Sequence, residues 1–268
     1  MKRIIYYLAV ITLFYSGVSF SQQTADEIAK KVANPVASMI SVPFQFNFAF
    51  NINGSGEHEN GYRMVTNIQP ILPIPLTKGI NLINRIIIPV QTQKDVTGWN
   101  QKETGLGDIL YTAFLSPADS KVIFGIGPAI SIPSSTNDFL GSKKLAIGPE
   151  VAVLGQPGQW TFGGLANQLW SVAGDKNRPD VNAAYFQPFV SYRFAGGFSL
   201  GLSSENTYDW KSKQLLSGLA SLSISQVMKF GTKQMASFMI SPLIFYANAN
   251  VRKPEWGVRT SISLIFPE

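Results

Sequence analysis

The sequence predicts an all-β protein: a transmembrane antiparallel β-barrel of about twelve strands, preceded by a short N-terminal helical segment. Three observations predict it. Apolar and polar residues alternate with a period of two through most of the chain. The alternating segments run to about 10–14 residues, against about 5–6 for soluble strands and about 9–11 for a tilted strand crossing a bilayer. The connectors alternate between tight turns and longer polar loops, as periplasmic turns and extracellular loops do.

Composition agrees. Charged residues make up 14% of the chain, against about 25% in soluble globular domains. A mean hydropathy of +0.10 is nevertheless far from that of a helical membrane protein. There is no cysteine, which removes disulfides, thiolate metal sites and cysteine nucleophiles.

The N-terminus sets the compartment. Lys2 and Arg3 precede an apolar run from Ile4 to Val18, and Ser19-Phe20-Ser21 supplies small residues where a signal peptidase reads. Residues 1–21 are therefore expected to be a signal peptide, its apolar stretch being shorter than the ~20 residues of a spanning helix. Without Lys2 and Arg3 the net charge falls from +6 to +4, and basic residues never run beyond pairs, so no nucleic-acid footprint is present.

Residues 22–39 do not alternate and form an arm or plug. Thr24 and Glu27 have the spacing of a capping box, Ile28 and Val32 share a helical face, and Pro35 ends the helix near Asn34. The barrel then occupies residues 40–268. Strands are expected at 40–52, 62–75, 80–91, 107–116, 122–132, 144–155, 159–172, 181–194, 198–209, 215–229, 233–246 and 256–266. The first is the clearest, with Phe44, Phe46, Phe48 and Phe50 on one face. Turn chemistry separates the strands at Lys78-Gly79, Pro117-Ala118-Asp119, Pro157-Gly158, Ala195-Gly196-Gly197 and Gly231-Thr232. The longer connectors are 53–61, 92–106, 133–143, 173–180 and 247–255, while 210–214 is short where a long loop is due. Aromatics gather into two girdles, with Trp160, Tyr192, Phe198 and Phe230 beside the short turns. Tyr62, Trp170, Tyr208, Trp210, Tyr246 and Trp256 mark the other end. An open edge in hydrocarbon leaves backbone groups unpaired, so the last strand must close on the first.

The ordered motifs carry a resemblance. Asn34-Pro35-Val36-Ala37, Asn67-Ile68-Gln69-Pro70, Asn84-Arg85-Ile86-Ile87-Ile88-Pro89-Val90, Gly105-Leu106-Gly107-Asp108, Gly125-Ile126-Gly127-Pro128, Gln187-Pro188-Phe189 and Thr207-Tyr208-Asp209-Trp210 follow one another along the mature chain. Together they resemble the outer-membrane barrels labelled for the MetA pathway of phenol degradation, often called generic transporters. That resemblance implies a Gram-negative outer-membrane location and passage of small, aromatic or hydrophobic compounds; substrate does not follow from fold.

The lumen is a barrel's working surface. Opposite the phenylalanines, the first strand offers Gln45 and Asn47; the same alternation adds Arg63, Asn67, Gln69, Asn81 and Arg85. Later strands add Asp108, Glu150, Asn167, Gln187, Glu205, Arg259, Ser261 and Ser263. A basic residue on the lipid side at mid-membrane costs about 2–4 kcal/mol, so the inward assignment is favoured. Asn84 does not fit, since it shares a face with Leu82 and Ile86. Two readings of these charges stand: a constriction that orients a solute, or salt bridges that fill the lumen. Gly125, Gly127, Gly148, Gly163 and Gly201 mark bends or close approaches.

The expected function is an outer-membrane channel for passive uptake of small molecules, in contact with outer-membrane lipid and with no cofactor. The alternative is a structural or adhesive barrel with a filled lumen. A lipid hydrolase is disfavoured because the single histidine, His58, sits in a loop between Glu57 and Glu59, with no serine placed to partner it. That trio is also a weak metal signal. Oligomeric state is not legible.

Overall fold

The computed structural model describes residues 22–52, 60–118, 122–230, 234–247 and 253–266. The expected signal peptide, His58 with its flanking glutamates, and residues 267–268 lie outside these. A helix, α1 (Gln22–Val32), precedes fourteen strands. It already runs from Gln22, so the start expected at Thr24 falls inside it. Past its end the Val36 amide donates to Asn34 Oδ1 at 2.9 Å, turning the chain at Pro35.

The strands are β1 (Ile40–Ile52), β2 (Gly61–Ile68), β3 (Ile71–Thr77), β4 (Ile80–Lys94) and β5 (Lys102–Leu106). Next come β6 (Ile109–Pro117), β7 (Val122–Ile132), β8 (Lys144–Gly155), β9 (Trp160–Gly174) and β10 (Asn182–Arg193). Then β11 (Phe198–Asp209), β12 (Gln214–Phe230), β13 (Gln234–Ala247) and β14 (Trp256–Phe266) complete the wall. All are antiparallel to their neighbours, and β14 closes on β1 from Ile40 opposite Phe266 to Phe50 opposite Trp256.

The architecture is a closed twelve-strand barrel with two further strands, and both extras come from interruptions. Between β2 and β3 the register against β4 is unchanged, Ile68 facing Ile88 and Ile71 facing Arg85. The gap is Gln69-Pro70, where proline has no amide to give the ladder. Between β5 and β6 the register slips by one residue, from Val90 opposite Leu106 to Ile87 opposite Leu110, making a bulge at Gly107-Asp108. The long connector expected at 92–106 is thus mostly a hairpin standing above the barrel, with Gln93 opposite Glu103.

Burial shows which face is wet. Val122, Phe124 and Ile126 are exposed on the outside of β7, as are Leu222 and Ile224 on β12 and Ile240 and Ile244 on β13. Their alternates, among them Ser221, Ser237 and Ser241, are buried inside. A soluble sandwich would have the reverse, and a barrel in lipid has this arrangement. Ring pairs form the girdles: Trp160–Tyr192 at 4.9 Å beside the short turns, Phe50–Trp256 at 4.5 Å and Tyr208–Trp210 at 4.9 Å at the opposite end.

Two glycines are required by close approach. A Cβ on Gly127 would stand 1.6 Å from the Ala113 carbonyl oxygen, and one on Gly148 would stand 1.6 Å from that of Gln168. Each precedes a proline, and Pro128 and Pro149 face each other across β7 and β8. The paired Gly-Pro steps draw the backbone against β6 on one side and β9 on the other.

Candidate functional site: the barrel lumen

The arm enters the lumen at the short-turn end. Ala25, Ile28 and Ala29 of α1, with Ala37 and Met39, pack on Val227, Met235 and Ile265, the inner faces of β12, β13 and β14. Polar contacts fix it around the rim: Asp26 accepts from the Gly197 amide at 2.7 Å, Gln156 donates to the Lys30 carbonyl at 2.8 Å, and Asn81 donates to Ser38 Oγ at 2.5 Å. A small cleft remains between the arm and β1, β3 and β14, lined by Lys31, Asn34, Met39, Ser41, Ile71 and Ser263.

Above the arm, one wall carries a continuous hydrogen-bonded ladder. Arg85 donates to Gln69 Oε1 at 3.1 Å, Gln69 to Gln45 Oε1 at 2.5 Å, and Gln45 to Asn47 Oδ1 at 3.2 Å. Arg259 Nε donates to the same Asn47 oxygen at 2.6 Å, and its guanidinium pairs with the Glu205 carboxylate. Arg259 on β14 stands opposite Ser241 on β13, and its guanidinium crosses β12 to reach Glu205 on β11, which is opposite Leu219. Asn47 also donates to the Val65 carbonyl at 3.2 Å. Asn67 and Ser261 stand beside Gln45 in register.

Nearer the long loops, Arg63 donates to Gln93 Oε1 at 2.9 Å, and Gln93 to Glu103 Oε2 at 3.2 Å. Asp108 has a different kind of partner. Its carboxylate accepts from the Ser135 amide at 3.2 Å and from the amide and hydroxyl of Ser142 at 2.6 and 2.7 Å, so it anchors the loop 133–143. Gln187 accepts from the Tyr185 hydroxyl at 3.1 Å. Asn84 faces outward, bonded to the Tyr111 hydroxyl at 2.8 Å, which satisfies it on the lipid side.

The opposite wall holds what polarity-based reasoning missed. Val36 of the arm, Ile83, Phe114, Ala152, Leu154 and Leu165 form a buried apolar cluster inside the barrel, with Tyr185 and Phe189 packed against it. Parity could have found part of it: Ala152 and Leu154 share the inward face with Glu150, and Phe114 shares it with Thr112. Glu150 lies at the upper edge of this cluster, 2% exposed, facing Thr112 and Asn167 with Arg85 at longer range.

The long loops are laced together above the lumen. Asp180 accepts from Lys144 at 3.0 Å and Lys211 at 2.9 Å, and these two ammonium groups hold its carboxyl down at about 2. Arg178 donates to the carbonyls of Asp138 and Gly141, both at 2.8 Å. Among the described residues, no three His, Asp or Glu side chains are gathered to hold a metal ion.

Comparison with known structures supplies the fold's context. The structure of the COG4313 outer membrane channel from Pseudomonas putida F1 superposes with a TM-score of 0.67 at 13% identity, covering 87% of this chain and 98% of that one. The chain folds as an outer-membrane β-barrel. Such a barrel belongs in the bacterial outer membrane, its apolar face in lipid contact. A FadL homologue from Pseudomonas aeruginosa gives 0.49 at 12% identity over 87% of this chain and 92% of that one. The NanC porin gives 0.49 at 12% over 85% and 100%. Neither a family model nor a curated protein matches the sequence.

Proposed function

We propose that the protein is a channel for passive uptake of small apolar or weakly polar molecules, aromatic ones included, across the outer membrane. The observation that carries this reading is the two-sided lumen. On one side Arg85 engages Gln69, and Arg259 engages Asn47 and Glu205, so neither guanidinium is free to draw an anion in. Charges held in such contacts give an ion little net attraction. The other side is the apolar strip from Val36 to Leu165. The arm's Val36 covers this strip, and once the arm withdraws a solute laying about 100 Å² of apolar surface on it gains about 2.5 kcal/mol, enough to enter and little enough to leave. The likeness to a protein described as an outer membrane channel supports the same reading. In the resting state the arm, residues 22–39, closes the short-turn end, and passage requires it to shift from the cleft beside Ile71 and Ser263.

The test is uptake by vesicles with a lipopolysaccharide outer leaflet, which slows unaided permeation. Full-length protein is expected to admit aromatic and fatty solutes and to exclude sugars. A protein lacking residues 22–39 is expected to admit all three. No uptake in either form, together with closed traces in planar bilayers at every voltage, would instead favour a structural or adhesive barrel with a filled lumen.

A further inference from the structure

Where the arm meets β1, β3 and β14, chain and wall do not close on each other. Lys31, Asn34 and Met39 of the arm face Ser41, Ile71 and Ser263 across a cavity of about 80 Å³. That is about half of the ~150 Å³ that admits benzene, so it holds an organic body of a few atoms. Ser41 and Ser263 are each 7% exposed, and neither hydroxyl has a hydrogen-bond partner among the described residues. Buried polar groups are almost always bonded, so two unbonded hydroxyls lining one cavity call for an occupant. Asn34 Oδ1 is taken by the Val36 amide at 2.9 Å, which leaves its Nδ2 to donate. Lys31 makes no ion pair with a described carboxylate, Glu27 one turn back on α1 included, and no acidic residue lines the cavity.

The lining sets the chemistry of the occupant. It offers an ammonium, an amide and two hydroxyls, one positive charge in all, beside the apolar side chains of Met39 and Ile71. A cation finds no carboxylate. A neutral alcohol leaves Lys31 without a counter-charge. Phosphate has no part that Met39 and Ile71 would cover, and water satisfies the hydroxyls while gaining nothing from that side. We propose that this cavity is a binding site for a short apolar monocarboxylate, its oxygens on Lys31, Ser41 and Ser263 and its hydrocarbon on Met39 and Ile71. Half of the lining belongs to the arm and half to the wall, so the ligand binds the seated arm alone and holds it seated. The assignment rests on the channel reading in one respect: a ligand that holds the arm closes the passage.

The probes are propanoate and propanamide, alike in shape and different in charge. Binding to the purified full chain in detergent is measured by saturation-transfer NMR, with inorganic phosphate as a competitor. The wild type is expected to bind propanoate about threefold to fivefold more tightly than propanamide, the yield of an ion pair at a partly exposed lysine. Lys31→Gln brings the ratio to about one with propanamide binding retained, and Lys31→Arg keeps the preference. Ser263→Ala weakens both probes. Phosphate displaces propanoate only at about tenfold or higher concentration, because it forgoes the apolar side. Seating of the arm is read as trypsin cutting after Lys30, which lies within α1 and is open to the protease only when the helix leaves the rim. Propanoate at about nine times its dissociation constant should slow that cutting about tenfold in the wild type, and not in Lys31→Gln at the same concentration. Equal binding of the two probes by the wild type overturns the site, as does a preference that survives in Lys31→Gln or binding unaltered in Ser263→Ala. Displacement by phosphate at propanoate's own concentration overturns the choice of carboxylate, and cutting that propanoate does not slow overturns the bridge from arm to wall. Discrimination in binding, with no vesicle uptake of any solute, leaves the site standing and defeats the channel reading instead.

Discussion

Replacing Glu205 by alanine isolates the cross-lumen pair. Arg259 is left opposite Ser241 with Asn47 as its remaining hydrogen-bond partner among the described residues. The side chains of the pair are 11% and 21% exposed, Arg259 being the more buried. Stripping one partner from a fully buried pair costs about 3–5 kcal/mol, and an exposed pair contributes about 0–1. Partial access of water to Glu205, and the surviving bond to Asn47, bring the expectation for Glu205→Ala to about 2 kcal/mol. Replacing both partners, as Arg259→Met with Glu205→Leu, should recover stability to within about 1 kcal/mol of wild type, because no charge is then stranded. Urea unfolding in lipid vesicles, followed by tryptophan fluorescence and by the heat-dependent gel mobility of folded barrels, reads both numbers. A loss below about 0.5 kcal/mol in Glu205→Ala would show that the pair is solvated like a surface contact, and the ladder would then not organise the lumen.

Three further outcomes follow from the same geometry. Gly127→Ala should abolish folding into the heat-resistant form, since its Cβ would meet a backbone oxygen at 1.6 Å and no side chain can move aside. Ile240→Arg, on the lipid face of β13, should cost about 2–4 kcal/mol in the same urea assay. The clamp on Asp180 titrates on the acid side: its folded pKa of about 2 lies below the unfolded value near 3.9, so its contribution is full above about pH 4 and is lost as pH falls through about 2. Protease cutting in the loops at 133–143 and 175–180 should therefore stay constant from pH 7 to about 4, and Asp180→Asn should raise it across that whole range.

Where the sequence could be read and where it could not has a physical basis. The phenylalanine face of residues 44–50 exposed the period of two, and with it the closure of β14 on β1, because alternation is imposed by the pleat itself. Residues 92–106 read as a loop because Gln93, Glu103 and Thr104 are polar on both faces; above the membrane a hairpin needs no apolar side, so its alternation vanished. Gln93 and Glu103 were missed for that reason. The apolar strip of Phe114, Leu154 and Leu165 was hidden by the opposite assumption, that inward means polar. Asp108 carries the right parity for a lumen residue, but the bulge at Gly107-Asp108 re-aims it toward Ser135 and Ser142, and a one-residue slip of this kind leaves no mark in composition. Nothing in the spacing of Arg259 and Glu205 links them, because two strands separate β14 from β11 and only the folded wall brings the pair within reach.

The account depends on oily side chains meeting lipid while the ladder and the apolar strip meet an enclosed interior. The absence of native cysteine allows single labels to test this directly. Spin labels attached at Ile126→Cys on β7 and at Ser221→Cys on β12 are compared in vesicles for relaxation by oxygen, which concentrates in hydrocarbon, and by a water-soluble nickel complex. The account predicts an oxygen-dominated signal at residue 126 and a weak one at residue 221. Equal oxygen relaxation at both positions, or nickel access at residue 126, would contradict it.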